Sequence, residues 1–145
     1  MTPPPLDRAV VQQRLRLLDD TLSELDQVGV LTAEELDADA IRRAATERLI
    51  QVVVDLAVDI NAHVVVATTG RAPDTARRSF LAMGSSGILP VDLAERLAPS
   101  AGLRNVLVHR YRDIRLDLLA DALQRIPGDY REYTRRLASW LESAQ

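Results

Sequence analysis

Apolar residues return at every third or fourth position over most of this chain, a spacing that commits it to packed helices. Val11, Leu15, Leu18, Leu22 and Leu25 advance by alternating steps of four and three, which draws one stripe along an amphipathic helix. Ile41, Ala45, Leu49, Val52, Leu56, Ile60 and Val64 mark a second, longer helix. Between Val52 and Val66 that helix is apolar nearly all round, as a central or interface helix is. Its valines argue locally for a strand, but the length of the run and its spaced polar residues decide for a helix.

The punctuation agrees with this reading. Pro3-Pro4-Pro5 predicts an extended, frayed lead-in over residues 1–6. Gly29 ends the first helix. Thr32 and Glu35 have the spacing of a capping box, and Asp39 offers a later start. Gly70 with Pro73 closes the second helix. Asp74 is placed to cap a short third one through Phe80, which stops near Gly84 to Gly87. Pro90 suits the first position of the next helix, which breaks at Pro99 and continues toward residue 111. Residues 114–126 and 130–141 read as two last helices parted by Pro127-Gly128. The expected fold is all-α: an up-and-down bundle in one domain over residues 1–145, enough chain to bury ~68% of its unfolded surface.

Composition removes several classes of function. Without cysteine there is neither a disulfide framework nor a thiolate metal site. The N-terminus lacks the basic and apolar regions of a signal peptide. Asp55, Asp59 and Asn61 interrupt the longest apolar stretch, which predicts no membrane span and a soluble, cytoplasmic protein. All 18 basic residues are arginine and the net charge is −3, so the chain is no polybasic nucleic-acid coat. Charge is unevenly placed: residues 1–60 carry twelve acids and six arginines, residues 101–145 six acids and eight arginines. Any contact with RNA falls to a local patch, and the more basic segment is the C-terminal one.

That segment holds the string Arg104-Asn105-Val106-Leu107-Val108-His109-Arg110-Tyr111. Cleaving RNA without a metal needs a base for the 2′-hydroxyl proton and an acid for the leaving 5′-oxygen. Histidine suits both roles, because its ordinary pKa lies near neutrality. An arginine gives two parallel hydrogen bonds to a phosphate, and they strengthen as charge builds in the transition state. Asn105 can fix the arginine, the histidine tautomer or a phosphate oxygen. On one straight helix Asn105 and His109 share a face, while Arg104 and His109 diverge by roughly 140°. A distorted helix end, or a two-fold axis joining two copies, brings them together. The plainer alternative makes His109 a cap at a helix C-terminus.

The string R-N-x-x-x-H-x-Y resembles the signature of HepT-like toxins in the HEPN superfamily. The resemblance extends over roughly residues 40 to 143, through Glu47-Arg48-Leu49-Ile50-Gln51, Asp59-Ile60-Asn61-Ala62-His63, Ser79-Phe80-Leu81, Gly87-Ile88-Leu89 and Gly102-Leu103-Arg104-Asn105. It implies a HEPN-type helical bundle, a two-fold homodimer, and a metal-independent endoribonuclease that leaves a 2′,3′-cyclic phosphate. In that family's terms Arg104 and His109 are catalytic and Asn105 supports them. The partner implied is an MntA-like nucleotidyltransferase antitoxin, which transfers AMP from ATP onto the motif tyrosine, here Tyr111. The chain itself needs no cofactor and no metal. The competing expectation is a non-catalytic HEPN protein that binds a nucleotide or serves as the modified subunit of a complex. A plain helical interaction module is a third.

A second polar feature lies on the long apolar helix, where Gln51, Asp55, Asp59 and His63 recur at every fourth residue. Asp59 and His63 have the spacing of two metal ligands, but no matching Glu-x-x-His helix accompanies them. A paired or solvated polar seam is the better reading. In its sharper form Asp55 or Asp59 pairs with Arg104 and holds it in the site, with Asp59 the expected supporting residue. Tyr130, Tyr133 and Trp140 read as core or dimer packing. Arg131, Arg135 and Arg136 are either a solvated face or a docking surface for an acidic partner.

Overall fold

The computed structural model describes residues 2–108 and 115–144, which form seven helices with no strand among them. In chain order these are α1 (Arg8–Val28), α2 (Ala33–Ala38), α3 (Ala40–Thr69), α4 (Ala76–Ser85), α5 (Val91–Leu97), α6 (Ser100–Val108) and α7 (Leu116–Ser143). The α1 stripe is buried as its spacing requires, and Asp7 caps the helix by accepting from the Val10 N–H. Both starts offered after Gly29 are used. Thr32 and Glu35 close a full capping box on the six-residue α2, and Asp39 then caps α3. Gly70 ends α3 with φ at 80°, a left-handed conformation that suits a residue without Cβ.

Three boundaries differ from the sequence expectation. Thr75, not Asp74, caps α4, while the helix ends at Ser85 as the Gly84 to Gly87 stretch predicts; Asp74 pairs with Arg78 instead. Pro90 stands at the N-cap of α5 rather than inside it. Most consequentially, α7 is one helix that continues through Pro127. Proline removes one hydrogen bond there. The apolar face nevertheless stays in phase: Ile126 and Tyr130, Tyr133, Leu137 and Leu141 are all buried. Packing on both sides of the proline carries the helix across it.

The bundle is built around α3, which packs on α1, α4, α6 and α7. Ile50, Val53, Val54, Ala57, Ile60 and Val64 are fully buried along it. At 30 residues α3 is also long and apolar enough, by length and composition alone, to cross a membrane, so its three polar interruptions do not keep it short of a span. α1 and α7 run antiparallel: Arg8 donates to the Ala144 carbonyl near one end, and Arg131 pairs with Asp26 toward the other. The lead-in expected to fray lies against the end of α3, with Leu6 on the core and the Asp7 N–H donating to His63 Nε2 at 3.0 Å.

Two buried polar links tie α7 to the rest. Tyr133 donates to Asn61 Oδ1 at 2.7 Å, and Asn61 Nδ2 donates to Ser79 Oγ at 3.2 Å, joining α7, α3 and α4. The Tyr130 hydroxyl lies 2.6 Å from Ser100 Oγ, which donates its proton to the Leu97 carbonyl. Tyr130 is therefore the donor in that pair, since Ser100 has one proton to give. Burial pushes both phenols well above the ordinary tyrosine range, so they remain neutral donors.

Candidate functional site

α6 carries the arginine of the motif, and its placement follows from what is buried on either side. Pro99 separates α6 from α5. Ser100 and Ala101 are buried at its start, and Leu107 is buried near its end. The Ser100–Tyr130 contact fixes the first turn against α7. This register turns Arg104 along the surface toward α3. Its Nε donates to Asp55 Oδ1 at 2.6 Å, and its Nη1 donates to Asn105 Oδ1 at 3.3 Å. The two charged side chains are 35% and 36% exposed, so the ion pair is open to solvent on one side. Counting its partners among the described residues, the guanidinium has donors left for an anion arriving from outside.

The structure thus brings together Arg104, Asn105 and Asp55. It separates them from Asp59, the supporting residue expected from the sequence, which is exposed a turn further along α3 while Asp55 takes the guanidinium. The reason is geometric. A step of four residues overshoots the 3.6-residue turn by ~40°, so a period-four series winds slowly around the helix. Gln51, Asp55, Asp59 and His63 therefore meet different surroundings. Asp55 meets α6, Asp59 meets solvent, and His63 receives the N–H at the start of α1. His109 and Tyr111 lie outside the described residues.

α6 also carries exposed apolar side chains. Val108, 39% exposed, lies one turn beyond Arg104 on nearly the same face, whereas Val106, 48% exposed, projects from the opposite side of the helix. The arginines of α7 have separate surroundings. Arg131 pairs with Asp26, and Arg136 reaches Glu132 at 3.9 Å. Arg131 and Arg135 also line a groove of about 480 Å³ between α1 and α7 with Arg16 and Asp19. Arg96, which sequence reasoning passed over, joins Asp92 of its own helix to Asp129 and Glu132 of α7. Its spacing from Asp92 was visible as an i, i+4 pair, but the reach to α7 needed the fold.

A family model described as Ribonuclease HepT-like matches residues 18–137. Among curated proteins, the chain is 30% identical over 136 residues to a tRNA nuclease HepT of Aphanizomenon flos-aquae, covering 94% of this chain and 92% of that one. It is 26% identical over 76 residues to an mRNA nuclease HepT of Shewanella oneidensis, covering 52% of this chain and 57% of the other. Among solved structures, it superposes with a TM-score of 0.80 on a tri-AMPylated Shewanella oneidensis HEPN toxin in complex with an MNT antitoxin. That alignment has 18% identity and covers 90% of this chain and 97% of the other, a likeness of fold.

Proposed function

This chain belongs to the HepT-like ribonuclease family, and from that premise we propose that it is the toxin of a toxin–antitoxin pair, a metal-independent endoribonuclease held in check by AMPylation. One observation carries the reading: the R-N-x-x-x-H-x-Y string falls inside the matched region, with its arginine oriented at the surface by Asp55. In this reading Arg104 binds the scissile phosphate and stabilises its growing charge. His109 moves the protons, from the 2′-hydroxyl and to the 5′-oxygen. The 2′-oxygen attacks phosphorus and the P–O5′ bond breaks, leaving a 2′,3′-cyclic phosphate and a 5′-hydroxyl. Asn105 steadies the guanidinium from beside it.

Two copies of the chain complete the site. A two-fold homodimer supplies a second histidine, so that base and acid come from different protomers. The exposed Val108, one helical turn from Arg104 on nearly the same face, supports a partner surface there. The whole chain acts as one HEPN domain in the cytoplasm, with α3 as its core helix. The substrate to try first is tRNA, because the relative named a tRNA nuclease matches nearly the full length.

Neutralisation falls on Tyr111. Its hydroxyl oxygen attacks the α-phosphorus of ATP held by an MntA-like nucleotidyltransferase, and pyrophosphate leaves. Each AMP adds a negative phosphodiester and bulk beside Arg104 and His109, opposing an RNA phosphate. The relevant test is growth. Expression of the chain alone should arrest cells, and co-expression with a cognate nucleotidyltransferase should restore them. Tyr111→Phe should stay toxic in the presence of that partner and take up no AMP. Loss of AMP incorporation only on changing Tyr130 or Tyr133 would overturn the assignment, and both of those hydroxyls are buried.

A further inference from the structure

Resting on the ribonuclease reading, we propose that Asp55 is a positioning residue: it holds the Nε edge of Arg104, so that the guanidinium meets an RNA phosphate through its terminal Nη edge. A guanidinium offers five N–H groups in one plane, and they present two forks: Nε with one Nη, and the two Nη groups together. A phosphate can take either fork. Here Asp55 Oδ1 occupies Nε at 2.6 Å, which removes the first fork. Among the described residues, the terminal fork carries only the longer contact from Nη1 to Asn105 Oδ1, at 3.3 Å. An incoming phosphate oxygen can displace that contact at little cost.

Both supports of this arrangement are rigid. Val54 and Ala57, on either side of Asp55 in α3, are fully buried. α6 is fixed by the Ser100–Tyr130 pair and by buried Leu107. The ion pair bridges these two helices at a half-exposed position, where such a pair adds little to stability. Its effect is directional. Freed from Asp55, the arginine would sample rotamers that turn either fork, or neither, toward substrate. The carboxylate also places a negative charge close to the phosphate, which weakens the binding of RNA before reaction while aiming the arginine for it.

Direction and charge are separable by substitution. Asp55→Asn keeps a carbonyl oxygen for Nε and removes the charge. With bulk tRNA as the probe, its kcat should stay within about threefold of wild type while KM falls. Asp55→Ala removes the acceptor, and kcat should drop about 10- to 100-fold. Both variants should melt close to wild type. A merely structural role would lower the melting temperature and would not separate the two variants in kcat and KM. A folded Asp55→Ala protein with wild-type kcat would overturn the proposal.

A second readout needs no turnover. The Nε–H resonance of Arg104, followed by NMR in the homodimer, should exchange slowly in wild type and rapidly in Asp55→Ala. Saturation with a 2′-O-methyl oligoribonucleotide, which lacks the attacking hydroxyl, should shift the Nη resonances and leave the Nε proton protected. If the oligonucleotide abolishes that protection, or moves neither edge, the edge assignment is wrong. If wild type cuts no RNA while the Nε proton behaves as stated and the oligonucleotide shifts the Nη groups, the ribonuclease reading fails and the edge assignment stands.

Discussion

Arg104→Ala is expected to slow RNA cleavage by about 10²- to 10³-fold, the usual effect of losing one donor to a developing oxyanion. The fold should survive. Arg104 is 35% exposed, and its loss leaves a half-exposed Asp55 that water can solvate. Arg104→Lys should recover little of the rate. Lysine keeps the positive charge but has no Nε donor for Asp55 and no planar fork for phosphate. Single-turnover rates on tRNA for the three proteins, with thermal melts alongside, check this. A folded Arg104→Ala protein within threefold of wild type would remove the arginine from the chemistry.

The largest effect on stability is expected at Tyr133, on α7 rather than on the two helices that carry Arg104 and Asp55. Its ring is completely buried and lies 5.9 Å from the Tyr130 ring. Its hydroxyl donates to Asn61 inside the bundle. Tyr133→Ala removes the ring and leaves a cavity, at about 3–5 kcal/mol. Tyr133→Phe keeps the ring but orphans the Asn61 carbonyl oxygen, at about 1–3 kcal/mol. Urea titrations of both variants separate packing from hydrogen bonding. A pH series adds an independent check. Burial raises the Tyr133 pKa in the folded protein, so the folded state keeps a proton that the unfolded chain releases above about pH 10. Stability should therefore fall as pH rises through that range, and less steeply in Tyr133→Phe. Equal stability of wild type and Tyr133→Phe at pH 7 would contradict the buried donor.

Most of this architecture was written in the spacing of apolar residues. The stripes of α1 and α3 are buried as the 3.6-residue period demands, and both N-cap signals at Thr32 and Asp39 are used. The Pro127-Gly128 pair reads as a break only when taken as punctuation alone. The steps from Ile126 to Tyr130, Tyr133 and Leu137 keep helical phase across it, and continuous burial outweighs one lost hydrogen bond. The site was legible in part. The sequence proposed a carboxylate of α3 for Arg104 and left Asp55 and Asp59 as alternatives. Choosing between them needs the rotation of α3 relative to α6, which long-range packing sets and local spacing does not encode. His63 illustrates the same limit: its partner is the Asp7 backbone, 56 residues away in sequence.

The most direct measurement of the central claim is RNA cleavage by the purified chain in excess EDTA, beside His109→Ala, with end-group analysis of the products. Cleavage of tRNA that leaves 2′,3′-cyclic phosphate and 5′-hydroxyl ends is expected, reduced about 10²- to 10⁴-fold in the variant. Folded, unmodified protein that cuts neither tRNA nor total RNA, or that cuts equally well without His109, would contradict it.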